Sequence, residues 1–331
     1  MVKSLALLSL AATSLAAPTA STSSWSGWKN VKQLFVFGDS YTQTGFDPKS
    51  TQPSAANPFG NPTYPGYTSS NGPNWVGFLT YTYNQSKILT YNLAYGGATV
   101  DSALVTPYEP TVISMKNQIQ TQYLPIYGSH PSTAPWTASS SLFAFFIGIN
   151  DVGNSWSLNN ATLYDTIFSE YAGLLDQIYA TGARNFLFLS VPPVNLAPLT
   201  LNQADGGYAK VNEGKAIANW NSRLANMTTN FKKGHAGVET FVFDTNALFT
   251  KVIQNPKAYP QTAGYKNVTG FCDAYENGTP TWYTKDPNCT YAVNEYLWLN
   301  DLHPTFPVHN ATAAEIVKFL GKQKPRKSWK P

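Results

Sequence analysis

Five short apolar runs, at 34–37, 89–93, 142–147, 186–191 and 238–243, recur along the chain with longer stretches of helical periodicity among them. Several of these runs are continuously apolar rather than alternating, the pattern of strands covered on both faces in a parallel sheet. Helical patterning over 75–83, 111–123, 163–180, 211–231 and 311–319 supplies the covering layers. The expectation is an α/β fold: a three-layer α/β/α sandwich with a central parallel sheet, whose ligands meet the carboxyl ends of the strands. With 331 residues, 43% of them hydrophobic and 12% charged, the chain can bury a large core. It carries no internal repeat and no separate module with its own linker, so one domain over 17–321 is expected.

Two segments break the strand–helix rhythm. Residues 47–73 are crowded with Pro, Gly, Asn and Ser, and this insert is expected to arch over whatever stands at the end of the first strand. Residues 254–294 are also irregular and hold both cysteines, Cys272 and Cys289.

The strand ends carry the chemistry-bearing residues. Gly38-Asp39-Ser40 follows the first apolar run directly and places a serine where a nucleophile would stand. Asn92-Leu93-Ala94-Tyr95-Gly96-Gly97 closes the second, and Gly148-Ile149-Asn150-Asp151 the third. A serine hydroxyl needs a base within hydrogen-bond reach. Of the four histidines, His303, in Asn300-Asp301-Leu302-His303-Pro304, is the best placed, while His130, His235 and His309 read as exposed. The anionic intermediate of acyl transfer also needs donors. The backbone N–H groups of Ser40 and Gly97 and the side-chain amide of Asn150 could supply them, forming an oxyanion hole. Asp39 and Asp151 read as acceptors that order their loops. Tyr41, Tyr64, Tyr67, Trp75 and Trp156 lie near strand ends or the insert and could offer sugar-stacking faces, although core packing is the commoner fate of an aromatic.

Ser40, Gly97, Asn150 and His303, in this order and these contexts, resemble the four blocks of the SGNH (GDSL) hydrolase superfamily across nearly the whole chain. The run from Phe37 to Phe46, with Tyr64-Pro65-Gly66-Tyr67 and Asn71-Gly72-Pro73-Asn74-Trp75, further resembles the fungal acetylesterases of carbohydrate esterase family 16. The resemblance implies a flavodoxin-like fold, no metal or other cofactor, and hydrolysis of acetyl esters on plant cell-wall oligosaccharides. One position departs from the superfamily pattern: its acid usually stands three residues before the histidine, where this chain has Asn300, with Asp301 two before. Either the Asp301 carboxylate holds the His303 ring, which is the expectation, or Asn300 orients it as a neutral partner. Alternative readings are a short-chain, aryl-ester or lipid acyl hydrolase of the same type, and a non-catalytic glycan-binding protein on the same fold.

The amino-terminal residues 1–16 have the form of a secretion signal: Lys3, an apolar run, and the small-residue site Ser14-Leu15-Ala16. An exported, extracellular protein is expected, with Cys272 and Cys289 paired as a disulfide. Asn84, Asn160, Asn226, Asn267, Asn277, Asn288 and Asn310 each begin a glycosylation sequon. The formal charge of +4 turns to −2 once Lys3 and the five cations of the basic tail 322–331 (Lys322, Lys324, Arg326, Lys327 and Lys330) are set aside. No basic excess then argues for nucleic acid or an anionic membrane. A monomer acting on an acetylated oligosaccharide or other small ester is expected.

Overall fold

A computed structural model of the chain describes residues 24–158, 160 and 162–325. The expected signal segment 1–16 and residues 326–331 of the tail lie outside them. Strands β1 (Gln33–Gly38), β2 (Leu89–Asn92), β3 (Ser141–Phe146), β4 (Asn185–Leu189) and β5 (Glu239–Phe243) form one parallel sheet in the order β2-β1-β3-β4-β5. This is the flavodoxin-like order, in which the chain direction switches between β1 and β3 and leaves a crevice at their carboxyl ends. All five expected strands are present.

The strand sequences explain why both faces are covered. Phe35 and Phe37 of β1 sit in register with Phe143 and Phe145 of β3, which in turn face Phe186 and Phe188 of β4. Their rings stack across the sheet at centroid separations of 5.0 Å (Phe35–Phe143), 5.1 Å (Phe37–Phe145) and 5.2 Å (Phe145–Phe188). Side chains alternate across a strand, so these aromatics share one face. There they meet Tyr123, Tyr171 and Phe231. The other face carries Phe146 and Phe243, packed on Trp75 and Phe319.

The helices are α1 (Trp75–Tyr81), α2 (Met115–Asn117), α3 (Leu124–Tyr127), α4 (Ile149–Gly153), α5 (Leu163–Ala180), α6 (Pro198–Leu201), α7 (Tyr208–Gly234), α8 (Thr245–Gln254) and α9 (Phe306–Gly321). Helices α5 and α7 carry the residues that cover the aromatic face, and α1 and α9 those of the opposite face. Two expectations are corrected. The helix expected over 111–123 starts only at Met115, after Ser114 accepts the Asn117 N–H, and passes through a π-helical stretch, Gln118–Tyr123, into α3. The last helix begins at Phe306 rather than 311, because Pro307 stands in its first turn, where a missing N–H breaks no helical bond. Helix α8, capped by Asp244, is additional to the expected segments.

Beside the main core, Tyr275, Cys289, Val293, Tyr296 and Leu299 form a small apolar cluster within the second irregular segment and the strand-like run after it. Cys272 and Cys289 are bonded there, as expected. The sequon asparagines Asn84, Asn160, Asn226, Asn277 and Asn288 are exposed, whereas Asn267 and Asn310 are half-buried, and the Asn310 side chain accepts the Tyr83 hydroxyl at 2.6 Å.

Candidate active site

Gly38 ends β1 against the carbonyl of Phe146, where a Cβ would stand 2.3 Å from that oxygen, so only glycine lets β1 and β3 close up here. The buried amide of Gln118 fastens the same residue: it accepts the Gly38 N–H at 3.0 Å and donates to the Gly38 carbonyl at 2.8 Å. The chain then turns. The Asp39 carbonyl accepts the N–H groups of Thr42 and Gln43, and its carboxyl accepts that of Tyr41 at 3.0 Å. Ser40 is thereby presented half-exposed at the crevice.

His303 comes from the opposite end of the sequence. Its Nε2 lies 2.8 Å from Ser40 Oγ. Its Nδ1 faces Asn300 Oδ1 at 3.2 Å, and that oxygen also accepts the N–H groups of Leu302 (3.1 Å) and His303 (2.7 Å). Two backbone donors fix which end of the amide points inward, so Nδ1 carries the ring proton and Nε2 offers a lone pair to the serine hydroxyl. Burial pulls the His303 pKa down to about 4, which keeps the ring neutral and able to accept a proton at ordinary pH. The loop is held from two sides: Tyr41 donates its hydroxyl to the Leu302 carbonyl at 2.7 Å, and the Leu199 N–H donates to the Asp301 carbonyl at 2.8 Å.

The expectation for Asp301 is corrected. Its carboxylate makes no hydrogen bond or ion pair among the described residues, and Asn300 holds the place beside His303 Nδ1. The physical reason is the turn itself: the side chain three residues before the histidine reaches back over the turn, while the one two before is directed elsewhere. His309 is corrected as well. It lies on the inner face of α9, 2% exposed, with its ring centroid 6.0 Å from that of Tyr41.

Gly97 and Asn150 emerge beside Ser40 because β2, β1 and β3 are neighbours. Gly97 has φ 77°, a left-handed conformation that favours glycine, and a Cβ there would meet the Tyr108 ring at 2.3 Å. Among the described residues the N–H groups of Ser40 and Gly97 have no acceptor. The Asn150 amide donates to the Ala98 carbonyl at 3.0 Å, and the Asp151 carboxyl accepts the Val100 N–H at 3.0 Å, so the two loops are fastened to each other. Asp39 and Asp151 act as loop-ordering acceptors, as expected. Burial raises their pKa values to about 8 and about 7.

A cleft of about 720 Å³ opens beside His303 and Asn300, walled by the Pro65–Gly72 part of the first irregular segment and by Glu276, Thr279 and Trp282 of the second. The two walls are joined where the Asn71 amide donates to Thr279 Oγ1 at 2.8 Å and accepts the Thr279 N–H at 2.8 Å. The insert, expected to arch over the site, lines one wall of the cleft beside it, and its Phe59 is buried in the core. Of the candidate stacking aromatics, Tyr41 and Trp75 are buried, Tyr64 and Trp156 half-buried, and Tyr67 is exposed on the cleft. Three positioning residues were not anticipated. Gln118 gives no signal in the sequence, but Asn74 and Asn92 stand at a helix start and a strand end, and both donate to the Thr42 carbonyl (2.7 and 2.6 Å).

A serine hydroxyl directed at a neutral imidazole, beside unengaged N–H groups, is suited to acyl transfer. The family model for GDSL-like lipase/acylhydrolase matches residues 34–316. The chain belongs to this family. It is accordingly a carboxylic ester hydrolase of the GDSL type. This acylhydrolase is 39% identical over 288 residues to an acetylesterase from Thermothelomyces thermophilus, covering 87% of each chain. It is 25% identical to an acetylesterase from Hypocrea jecorina, over 90% of this chain and 91% of that one. A crystal structure of an acetylxylan esterase from Geobacillus stearothermophilus aligns with the GDSL acylhydrolase at a TM-score of 0.49 and 14% identity, over 89% of this chain and 97% of the other.

Proposed function

We propose that this acylhydrolase is a secreted acetylesterase that removes acetyl groups from plant cell-wall oligosaccharides. The observation that carries the reaction is the 2.8 Å approach of Ser40 Oγ to a neutral His303 Nε2. In this reading Ser40 Oγ attacks the acetyl carbonyl carbon and its proton passes to His303. The oxyanion is held by the N–H groups of Ser40 and Gly97 and by the Asn150 amide. The bond to the sugar oxygen then breaks, that oxygen takes the proton from His303, and acetyl-Ser40 remains. Water attacks the acetyl group with His303 again as base, releasing acetate and restoring the hydroxyl.

The choice of acetyl is supported by the two acetylesterase relatives, and that of a sugar by the polar cleft beside His303, which the exposed Tyr67 and half-buried Trp282 help to line. Kinetics on acetylated xylooligosaccharides and on acetyl, butyryl and longer 4-nitrophenyl esters test it. Acetylated oligosaccharides should give the highest kcat/KM. A preference that rises steadily with acyl length would overturn the reading in favour of a lipid acyl hydrolase.

A further inference from the structure

The site loops separate two cavities. The cleft of about 720 Å³ lies on the side of His303 and Asn300. A smaller cavity, about 180 Å³, is lined by Asn150, by the apolar Ile149, Val194, Leu199 and Leu302, and by the polar Asn154 and Gln203. Its walls belong to the elements that build the site: Asn150 is in α4, Leu302 precedes His303, and α6 is tied to the His303 loop through the Leu199 N–H.

The proposed reaction assigns the two sides. A tetrahedral centre on Ser40 carries four groups: the serine oxygen, the oxyanion, the leaving oxygen and the acyl carbon chain. The leaving oxygen must face His303 Nε2 to be protonated, which sends the sugar into the large cleft. The oxyanion faces the backbone donors and the Asn150 amide. One direction is left for the acyl chain, and the smaller cavity, lined by the site residue Asn150 and by Leu302 next to His303, is the space that the sugar does not take.

We infer that the smaller cavity receives the acyl chain and that the buried pair Glu213–Thr200 in its wall sets the limit on chain length. Thr200 Oγ1 donates to Glu213 Oε2 at 2.6 Å, and the two residues are 5% and 4% exposed. By volume the cavity has room for roughly six water-sized groups, so size alone does not restrict it to acetyl. Chemistry does: beside Ile149, Val194, Leu199 and Leu302 the lining carries Gln203 and the Glu213 carboxyl group, so a longer chain is pressed on polar atoms that are already poorly solvated. Burial raises the Glu213 pKa, consistent with a scarcity of water around it. Acyl groups of about two to four carbons are the class this wall accepts.

This inference rests on the esterase reading, and the experiment separates the two. The kcat/KM series for 4-nitrophenyl acetate, butyrate, hexanoate and octanoate is measured on the wild type, on the double variant Thr200→Val/Glu213→Leu, and on Leu199→Trp, whose position at the rim is 47% exposed and tolerates bulk. The double variant should raise the hexanoate-to-acetate ratio about tenfold or more. Leu199→Trp should lower the butyrate-to-acetate ratio by a similar factor, and it decides the matter alone if the double variant does not fold. A chain-length profile unchanged in folded variants of an active enzyme overturns the acyl-cavity assignment and leaves the esterase intact. A wild type inert towards every ester removes both.

Discussion

Asn300 Oδ1 stands 3.2 Å from His303 Nδ1 while holding the N–H groups of Leu302 and His303, so one amide oxygen both shapes the turn and orients the base. A neutral amide in this place fixes the tautomer but adds little to the stability of an imidazolium. Asn300→Ala should therefore lower kcat on 4-nitrophenyl acetate by on the order of 10², whereas Asp301→Ala stays within a few-fold of wild type. Asn300→Asp, which puts a charge beside Nδ1, should increase kcat. The opposite ranking, with Asp301→Ala the worse variant, would return the orienting role to Asp301.

The acid limb of activity follows from His303. With its pKa near 4, the imidazole stays neutral well below the usual histidine range, and kcat/KM should fall only as pH drops through about 4. A limb near pH 6.5 would mean that the free enzyme holds the ring in a more solvated place.

Stability should depend on pH in two opposed ways. His303 and His309, held near 4 and near 3, are neutral in the fold but protonate in the unfolded chain below about 6.5, so their contribution is lost as pH falls from 6.5 towards 3. Asp39 and Asp151, raised to about 8 and about 7, keep their protons in the fold, so their contribution is present at low pH and is lost as pH rises through those values. The opposed contributions nearly cancel between about pH 4 and 6.5, so the melting temperature should be level there and decline towards pH 8. Asp39→Asn should flatten that decline, and a thermal scan series from pH 4 to 8 reads both.

Gly97→Ala tests the oxyanion side. The added Cβ combines a left-handed backbone with an approach of 2.3 Å to the Tyr108 ring. Tyr108 is 74% exposed and can be displaced, so the fold should survive while kcat falls by on the order of 10²–10³. Adding Tyr108→Ala should recover part of the loss; no recovery would assign the defect to the backbone conformation alone.

The Cys272–Cys289 bond closes a loop of sequence separation 17 and belongs to the small cluster that ends at Leu299, next to Asn300. Cys272→Ser with Cys289→Ser should cost about 3 kcal/mol of stability. Because that cluster supports the His303 loop, activity should be lost on heating several degrees before the main core melts, as followed by residual activity and near-ultraviolet circular dichroism.

Much of this protein is legible in local sequence. Continuous apolar runs such as 34–37 and 142–147 specify strands buried on both faces, and Gly38-Asp39-Ser40 at a run's end marks the switch point, because strand burial and turn chemistry are properties of neighbouring residues. The α5 bounds, Leu163–Ala180, also coincide with the expected helix, whose apolar spacing is regular throughout. The start of α9 was harder to see, since Pro307 reads equally as a breaker and as a first-turn residue.

What the sequence determined by itself, then, was the set of elements and the identity of the serine, histidine, glycine and asparagine placed at their ends. Only the tertiary structure decided which partner faces His303 Nδ1, that His309 is buried, that Gln118 grips Gly38 across 80 positions, and that Asn71 meets Thr279 to wall the cleft. These are single polar contacts between residues far apart in the chain. No periodicity encodes them, because each depends on where a turn directs one side chain after the layers have packed.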